Sequence, residues 1–205
     1  YRLGCSPTDP SRVITGAQDN GMNLLDGGDW SHVLGADGME GAIDPEDPQI
    51  IYGEQQYGGL YRSDDGGQNF FNIAGQIGEQ GAWVTPFTID PEDPQILVAG
   101  YNNVWKSFDR GDNWEPQSEF DTDLTIRALA IAPSNNDVIY CANTASFFRT
   151  TVGGSDWDDL SDGLPANVVT AIAVDPTDAA HIFVSVSGYT AGVKVFESTD
   201  AGDSW

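Results

Sequence analysis

An eight-residue pattern repeats along the chain, and this repeat constrains the fold more than any other feature. Three copies follow Ser-x-Asp-x-Gly-x-x-(Trp or Phe) and occupy residues 63–70, 107–114 and 198–205. Two weaker copies end at Trp30 and Trp157 and keep a glycine and the final aromatic residue. We call each copy an octet. The final aromatic residues lie at positions 30, 70, 114, 157 and 205, and this regular spacing indicates a chain of similar structural units.

A proline-containing turn precedes each octet in the same register, at Pro7, Pro45, Pro91, Pro133 and Pro176. Short runs of apolar and β-branched residues lie on both sides of each turn and lead into the octet, and a further strand is expected after it. Four short strands in about 40–50 residues are typical of one blade of a β-propeller. The sequence therefore predicts an all-β fold, a β-propeller of four-stranded antiparallel blades with five repeats present.

We interpret residues 1–205 as a single propeller region, with repeats at about 1–34, 35–78, 79–123, 124–164 and 165–205. The last repeat stops at the aromatic residue of its octet, where a fourth strand is still expected. Propellers avoid exposed sheet edges. We therefore expect the chain to be a fragment of a larger propeller, of six or more blades, completed by other segments of the parent chain or by a partner chain.

Each octet is predicted to be a hairpin turn between the third and fourth strands of its repeat. The hydroxyl at position one and the carboxylate at position three can accept hydrogen bonds from N–H groups that a tight turn leaves unpaired. Glycine at position five permits a positive φ, and the final aromatic residue is expected to pack back on its own blade. The residues with this structural role are Ser63, Asp65, Gly67, Phe70, Ser107, Asp109, Gly111, Trp114, Ser198, Asp200, Gly202 and Trp205.

The octets resemble the Asp-box, or bacterial-neuraminidase repeat, of sialidases, xyloglucan-cleaving propeller glycosidases, sortilin-type receptors and photosystem II assembly factors. The resemblance covers essentially the whole chain and implies a propeller fold. It implies no single activity, because enzymes and non-enzymes of these families share the motif as a structural turn. Residues 16–21 and 56–62 are also similar to segments of large secreted bacterial repeat proteins, so we expect a secreted or extracellular protein, with the cell surface as one location.

The charge balance limits the partners that the protein can bind. The chain has 8 Lys and Arg residues against 32 Asp and Glu residues, a formal net charge of −24. Such a surface repels phosphate backbones and anionic membrane surfaces, so we expect no nucleic-acid partner. No apolar segment approaches the roughly 20 residues that a membrane-spanning helix needs, so we expect no membrane insertion. Polysaccharide or protein remains as the partner.

Metal sites and cofactors have little support in the sequence. His32 and His181 are isolated, with no cysteine or histidine at zinc-ligand spacing. The acidic tract at residues 156–159 offers oxygen ligands for calcium, but it lacks the spacing of an EF-hand and favours a solvated loop. We expect no cofactor, with calcium as the one metal left open. Cys5 and Cys141 lie in apolar strand-like runs of different repeats, and we expect unpaired buried thiols.

The predicted strand order places the proline turns and the octets at one end of the propeller. The opposite end consists of the loops between strands two and three and between strand four and the next repeat, and their sequences vary. Ligand sites favour variable loops on a rigid scaffold. We therefore predict ligand contacts from Gln18, Asp19, Asn20, Gln55, Gln56, Tyr57, Tyr101 and Asn102.

Three functions remain open at this stage. The first is a secreted, non-catalytic module that binds carbohydrate or protein through the loops opposite the octets. The second is a propeller-type glycoside hydrolase with paired carboxylates, for which Asp19, Asp37, Glu40 and Glu54 are the candidates. The third is a structural repeat unit of an extracellular assembly. Sialidase activity is disfavoured, because it needs a cluster of arginines and three of the six arginines lie beside or inside octets.

Overall fold

The computed structural model describes residues 2–120, 123–165 and 168–205, which form nineteen β-strands and one 3-10 helix. Residues 121, 122, 166 and 167, in two of the predicted connecting loops, lie outside the described residues. Blade 1 consists of β1 (Leu3–Cys5), β2 (Arg12–Ala17), β3 (Gly21–Asp26) and β4 (Asp29–Leu34); blade 2 of β5 (Gly38–Ile43), β6 (Ile51–Gln55), β7 (Gly59–Ser63) and β8 (Phe71–Asn72); blade 3 of β9 (Phe87–Ile89), β10 (Leu97–Gly100), β11 (Val104–Ser107) and β12 (Glu115–Pro116); blade 4 of β13 (Ala128–Ile131), β14 (Ile139–Ala142), β15 (Phe147–Thr150) and β16 (Asp158–Asp159); blade 5 of β17 (Val169–Asp175), β18 (Asp178–Val186) and β19 (Val195–Ser198).

Each blade is an antiparallel meander in which every strand pairs with the next strand along the chain. Blades 1 to 4 have four strands, and the described part of blade 5 has three. The first strands of successive blades, β1, β5, β9, β13 and β17, lie beside one another, and the later strands fan away from them. The predicted all-β architecture of antiparallel propeller blades is therefore confirmed. The 3-10 helix, Ser161–Gly163, lies between blades 4 and 5, and the described residues contain no helix long and apolar enough to cross a membrane.

The hydrophobic core lies between blades. Four clusters of buried side chains each join two neighbouring sheets. Between blades 4 and 5, for example, Tyr140 and Phe147 pack against Ile182 and Val184. A central blade therefore buries both of its faces, which explains why β10 and β14 are fully buried apolar strands with no polar alternation.

The three full octets form the predicted hairpin turns. In blade 2 the hydroxyl of Ser63 accepts a hydrogen bond from the N–H of Gly67 at 2.9 Å and donates to Asp65 at 2.8 Å. Asp65 also accepts from the main-chain N–H of Asn69 at 2.9 Å. Blades 3 and 5 repeat these bonds, and in blade 4 only the bonds to the Thr150 hydroxyl remain because position three is a valine.

Two consecutive octet residues have a left-handed backbone. The predicted glycine at position five has φ values of 92° to 107° in the four blades that form the turn. Position four is also left-handed, and it is occupied by Gly66, Arg110, Gly153 and Ala201 with φ values of 59° to 75°. A non-glycine residue in this region is strained. The octet thus holds backbone strain at Arg110 and Ala201 that the sequence pattern did not reveal.

The final aromatic residues of the octets also contact the preceding blade, a contact that the sequence did not indicate. The indole N–H of Trp114 donates to the carbonyl of Ile73 at 2.7 Å, and that of Trp157 donates to Gln117 at 2.8 Å. Both acceptors belong to the chain that follows the fourth strand of the preceding blade. The octet therefore connects its own blade to the preceding blade.

Arginine side chains form a second connection between blades at the octet end. Arg62 of blade 2 donates to the carbonyl of Arg110, and Arg149 of blade 4 donates to the carbonyl of Ala201 at 3.0 Å. Arg12 of blade 1 makes the same kind of bond to Gly66 at 2.9 Å. In all three cases the acceptor is position four of the next octet. These three arginines are thus structural; for Arg62 and Arg149 the position beside an octet already indicated this, whereas the role of Arg12 was not predicted.

Two expectations about blade 1 are wrong. Its weak octet, ending at Trp30, is not an octet turn, because β3 continues to Asp26 and a two-residue turn of Gly27 and Gly28, both with positive φ, joins it to β4. Trp30 is 57% exposed on β4. Cys5 is exposed because its side chain lies on the face of β1 opposite to Gly4, which packs against β5, whereas Cys141 is buried as predicted. Both thiols are free.

Candidate functional site

The loops opposite the octets enclose an open cleft of about 560 Å³. Its walls come from the turn after β6, the long segment between β8 and β9, the turn after β10 and the segment that leads into β13. The cleft therefore lies over blades 2, 3 and 4. The side chains that line it are Tyr57, Glu79, Gln80, Trp83, Asn102, Asp123, Thr125 and Arg127.

An aromatic pair forms one wall of the cleft. The rings of Tyr57 and Trp83 meet edge to face, with centroids 5.1 Å apart and planes at 83°. Main-chain bonds fix the two loops to each other, since the N–H of Tyr57 donates to the carbonyl of Trp83 at 3.4 Å and the N–H of Gly81 donates to Tyr57 at 3.1 Å. Tyr57 has a φ of 64° and is 47% exposed. A bulky residue held in a strained conformation with its ring in solvent is typical of a functional position.

Tyr101 supports the cleft from below and does not line it. The sequence predicted a ligand contact here, but the side chain is 1% exposed. Its hydroxyl donates to the carbonyl of Gly58 at 2.6 Å, and its own carbonyl accepts from the N–H of Ile126 at 2.7 Å. Gly58 must be a glycine, because a Cβ there would lie 2.4 Å from the Tyr101 ring. The prediction is corrected: Tyr101 ties together the two loops that form opposite walls.

The polar side chains of the cleft are partly fixed. Asn103 donates from its main chain and its side chain to the two oxygens of Glu79, at 2.9 and 3.0 Å. Asn102, for which a ligand contact is predicted, is half-buried and lines the cleft. Arg127 is exposed, and its N–H donates to the carbonyl of Ala142 at 2.7 Å, which anchors its main chain to blade 4.

The remaining predicted binding residues lie over blades 1 and 2, beside the cleft. Asp37 accepts from the N–H of Asp19 at 2.7 Å, and the N–H of Asp37 donates to Gln56 at 3.1 Å. The side chain of Gln55 donates to the carbonyl of Gly35 at 3.2 Å. These side chains hold neighbouring loops together. Gln18, Asp19 and Asn20 are exposed at the turn after β2.

Of the four carboxylate candidates for hydrolysis, Asp19 and Asp37 lie together outside the cleft lining, and Glu40 lies beside the buried Glu54. Glu54 is 0% exposed and accepts from the N–H groups of Thr85 at 2.7 Å and Glu40 at 3.2 Å. Burial raises the pKa of Glu54 to about 8. Burial also raises the pKa of Glu40, opposed by Arg2, whose guanidinium lies 3.3 Å away. Glu54 cannot touch a substrate, and its role is to hold the Thr85 segment that follows Trp83.

Sequence reasoning missed most of the cleft lining. Trp83 belongs to a long glycine-containing connection, and the tryptophan in an otherwise polar loop was the available signal. Glu79, Gln80, Asp123 and Arg127 carry no such signal, because their approach to Tyr57 depends on how three loops fold over each other. Among the residues that the structure describes, no group of three or more His, Cys, Asp or Glu side chains is placed to hold a metal ion.

Comparison with solved structures shows the same fold in larger proteins. The structure is similar to a GH74 enzyme from Niastella koreensis (18% identity, TM-score 0.77) and to the GH74 xyloglucanase from Xanthomonas campestris (19% identity, TM-score 0.74). Each match covers 99% of this chain and 37% of the other. It is also similar to the extracellular domain of a hybrid two component system from B. thetaiotaomicron (13% identity, TM-score 0.70), with 96% of this chain and 26% of the other covered.

No protein-family model matches the sequence, and no curated protein matches it. The chain spans little more than a third of the length of the two GH74 enzymes. At these identities the similarity shows a shared propeller fold. The chain therefore has a β-propeller fold and corresponds in length to part of a larger propeller protein.

Proposed function

We propose that this propeller module binds carbohydrate, without cleaving it, in the cleft over blades 2 to 4. The observation that carries the proposal is the Tyr57–Trp83 pair, held by main-chain bonds in a 560 Å³ cleft beside amide, carboxylate and guanidinium groups. Aromatic rings stack on the C–H faces of sugars, and neighbouring polar groups fix the hydroxyls. The volume lies within the range of about 300–1,000 Å³ that is usual for ligand sites.

Binding fits the cleft better than hydrolysis. Hydrolysis by two carboxylates needs an acid and a second carboxylate on opposite sides of the sugar bond. Glu54 is buried, and both oxygens of Glu79 accept hydrogen bonds from Asn103, so Asp123 is the remaining carboxylate among the described residues of the lining. A single available carboxylate favours a binding role.

The broader setting follows from the same proposal. We infer that the octets are Asp boxes, because their hydroxyl and carboxylate groups form the hydrogen bonds that hold the turn. The ligand would then bind at the opposite end of the propeller. We infer a secreted or extracellular module of a longer propeller, supported by the acidic surface and by the extracellular domain among the structural neighbours. Further segments of a longer chain or a partner chain would then supply the remaining blades.

The test is a glycan array followed by calorimetric titration with the oligosaccharides that score, including xyloglucan and cello-oligosaccharides. Trp83→Ala removes the larger ring of the pair and should weaken binding about tenfold or more, as expected for a central aromatic contact. Trp30→Ala is the matched control, because Trp30 is 57% exposed on β4 and lies outside the cleft lining. Equal urea midpoints for the two variants and the wild type would show that folding is unchanged.

Three results would contradict the proposal. An array without any binding glycan, together with oligomers or filaments in solution, would favour a structural role. Release of reducing sugar from a polysaccharide, abolished in Asp123→Asn, would make the module a hydrolase. Loss of binding in Trp30→Ala but not in Trp83→Ala would move the site away from the cleft.

A further inference from the structure

Arg127 differs from the other arginines of the chain. The chain has six arginines among its 8 basic residues, against 32 acidic ones. Five of the six form ion pairs with carboxylates at 2.7 to 3.3 Å: Arg2, Arg12, Arg62, Arg110 and Arg149. Within the described part of the chain, no carboxylate lies within 4 Å of the Arg127 guanidinium. Its guanidinium thus lines the cleft without an ion pair to these described carboxylates.

The cleft presents this guanidinium from a fixed segment. The N–H of Ile126, a fully buried residue, donates to the carbonyl of Tyr101, and the N–H of Arg127 donates to Ala142, both at 2.7 Å. Tyr101 also holds the loop of Tyr57 through its hydroxyl bond to Gly58. The main chain of Arg127 and the aromatic wall are thus positioned by the same buried tyrosine.

We propose that Arg127 makes the cleft selective for a sugar that carries a carboxylate, that is, a uronic acid residue. The inference rests on the proposed carbohydrate binding and names the class of sugar. A guanidinium presents parallel N–H donors that match the two oxygens of a carboxylate, and such charge-assisted bonds are stronger than bonds to a neutral hydroxyl. In this arrangement the ring of the sugar faces Tyr57 and Trp83 while its carboxylate faces Arg127.

The other charges of the cleft and of the chain oppose the approach of an anion. Glu79 and Asp123 line the same cleft, and Glu79 directs both oxygens toward Asn103. The net charge of −24 repels any anion at long range. The distance over which salt screens this repulsion is roughly 30 Å at 0.01 M and roughly 8 Å at 0.15 M. Salt weakens the direct contact between the guanidinium and a carboxylate less. Affinity for a uronic acid oligomer should therefore rise when salt is raised from 0.01 to 0.15 M.

The experiment uses two pairs of probes, each an acid and the methyl ester that lacks its charge. The pairs are oligogalacturonate with its full methyl ester, and β-1,4-oligoglucuronate with its full methyl ester. Calorimetric titrations are run at 0.15 M salt with the whole chain. We expect the acid of at least one pair to bind about tenfold more tightly than its ester, the size typical of a charge-assisted bond at an exposed site. In Arg127→Gln the acid should lose this advantage, and in Arg127→Lys it should keep part of it.

Lys194→Gln is the matched control, because it removes one positive charge from the same end of the propeller without touching the cleft lining. It should preserve the preference for the acid. If the ester binds as tightly as the acid to the wild type, the inference is wrong and the carbohydrate-binding proposal stands. If Lys194→Gln abolishes the preference as Arg127→Gln does, long-range charge explains it and the inference is wrong. If no glycan of the array and neither pair binds, both fail.

Discussion

Replacement of Glu54 by glutamine should remove a large pH dependence from the stability of the protein. The Glu54 carboxyl is fully buried, and burial raises its pKa from 4.5 to about 8. A carboxyl whose folded pKa is raised binds its proton more tightly in the folded state. Its stabilising effect is therefore complete below the unfolded pKa, near 4.5, and is lost as the pH rises toward 8.

The size of the effect follows from the two pKa values. One pKa unit corresponds to about 1.4 kcal/mol, so ionisation of Glu54 should lower the free energy of unfolding by roughly 3 kcal/mol between pH 4.5 and 7. A further 1–2 kcal/mol, on the order of one pKa unit, should be lost between pH 7 and 9. Glutamine cannot ionise, and it retains one oxygen as an acceptor for Thr85. The opposite amide group would face the N–H of Glu40, at a cost of about 1 kcal/mol.

The assay is urea denaturation followed by tryptophan fluorescence at pH 5, 6, 7 and 8. The free energy of unfolding of the wild type should fall with pH, and that of Glu54→Gln should fall much less. Glu92→Gln removes an exposed acid of the same type and should leave the wild-type slope unchanged. Parallel slopes for the wild type and Glu54→Gln would refute the reasoning, since Glu54 would then be ionised at little cost.

Three further predictions concern the octet end. Gly111→Ala should lower the free energy of unfolding by about 2 kcal/mol, because φ is 92° and the new Cβ would lie 2.6 Å from the side chain of Ile73 in the preceding blade. Gly78→Ala, in open space and with an ordinary φ, should change the free energy of unfolding little. Urea denaturation measures both. Arg62→Lys should lower the free energy of unfolding by roughly 1–3 kcal/mol in the same assay, because the buried guanidinium of Arg62 bonds to the next blade. Arg2→Lys should lower it by well under 1 kcal/mol, because the Arg2 side chain, which pairs with Glu40, is 45% exposed. Hydrogen bonds from Asn69 lower the pKa of Asp65 from 3.8 to about 2, so this carboxylate stabilises the fold above pH 4 and loses that effect as the pH falls through 2. Asp65→Asn should be less stable than the wild type at pH 6, and the difference should shrink as the pH falls from 4 to 2.

The sequence was sufficient for those features that depend on a single turn. The hydroxyl and carboxylate of the octet bond to N–H groups within four residues, so their role could be predicted from Ser63 and Asp65 without knowledge of the rest of the chain. The strands were predictable for the same reason, because apolar runs bounded by turns are local signals. Fold class therefore followed from the repeat alone.

The features that depend on contacts between blades could not be predicted in this way. The left-handed backbone of Arg110 and Ala201 carries no residue-type signal, because neither residue favours positive φ. A ligand contact is predicted for Tyr101 because it lies in a variable loop opposite the octets, but the turn at Gly58 covers its side chain and buries it. The closing aromatic of each octet was assigned to its own blade because the sequence does not show which neighbour lies closer.

The contact between blades at the octet end is not the same in every blade. At the octet end, the residue before the octet reaches the next blade: Arg62 and Arg149 donate to the carbonyl at position four. In blade 5 the same position is Glu197, which accepts hydrogen bonds but cannot donate to a carbonyl. Glu197 instead lies 2.8 Å from His181 of its own blade, and this contact raises the pKa of the histidine. The contact that Arg62 and Arg149 make with the next blade is therefore replaced, in blade 5, by a contact within the blade.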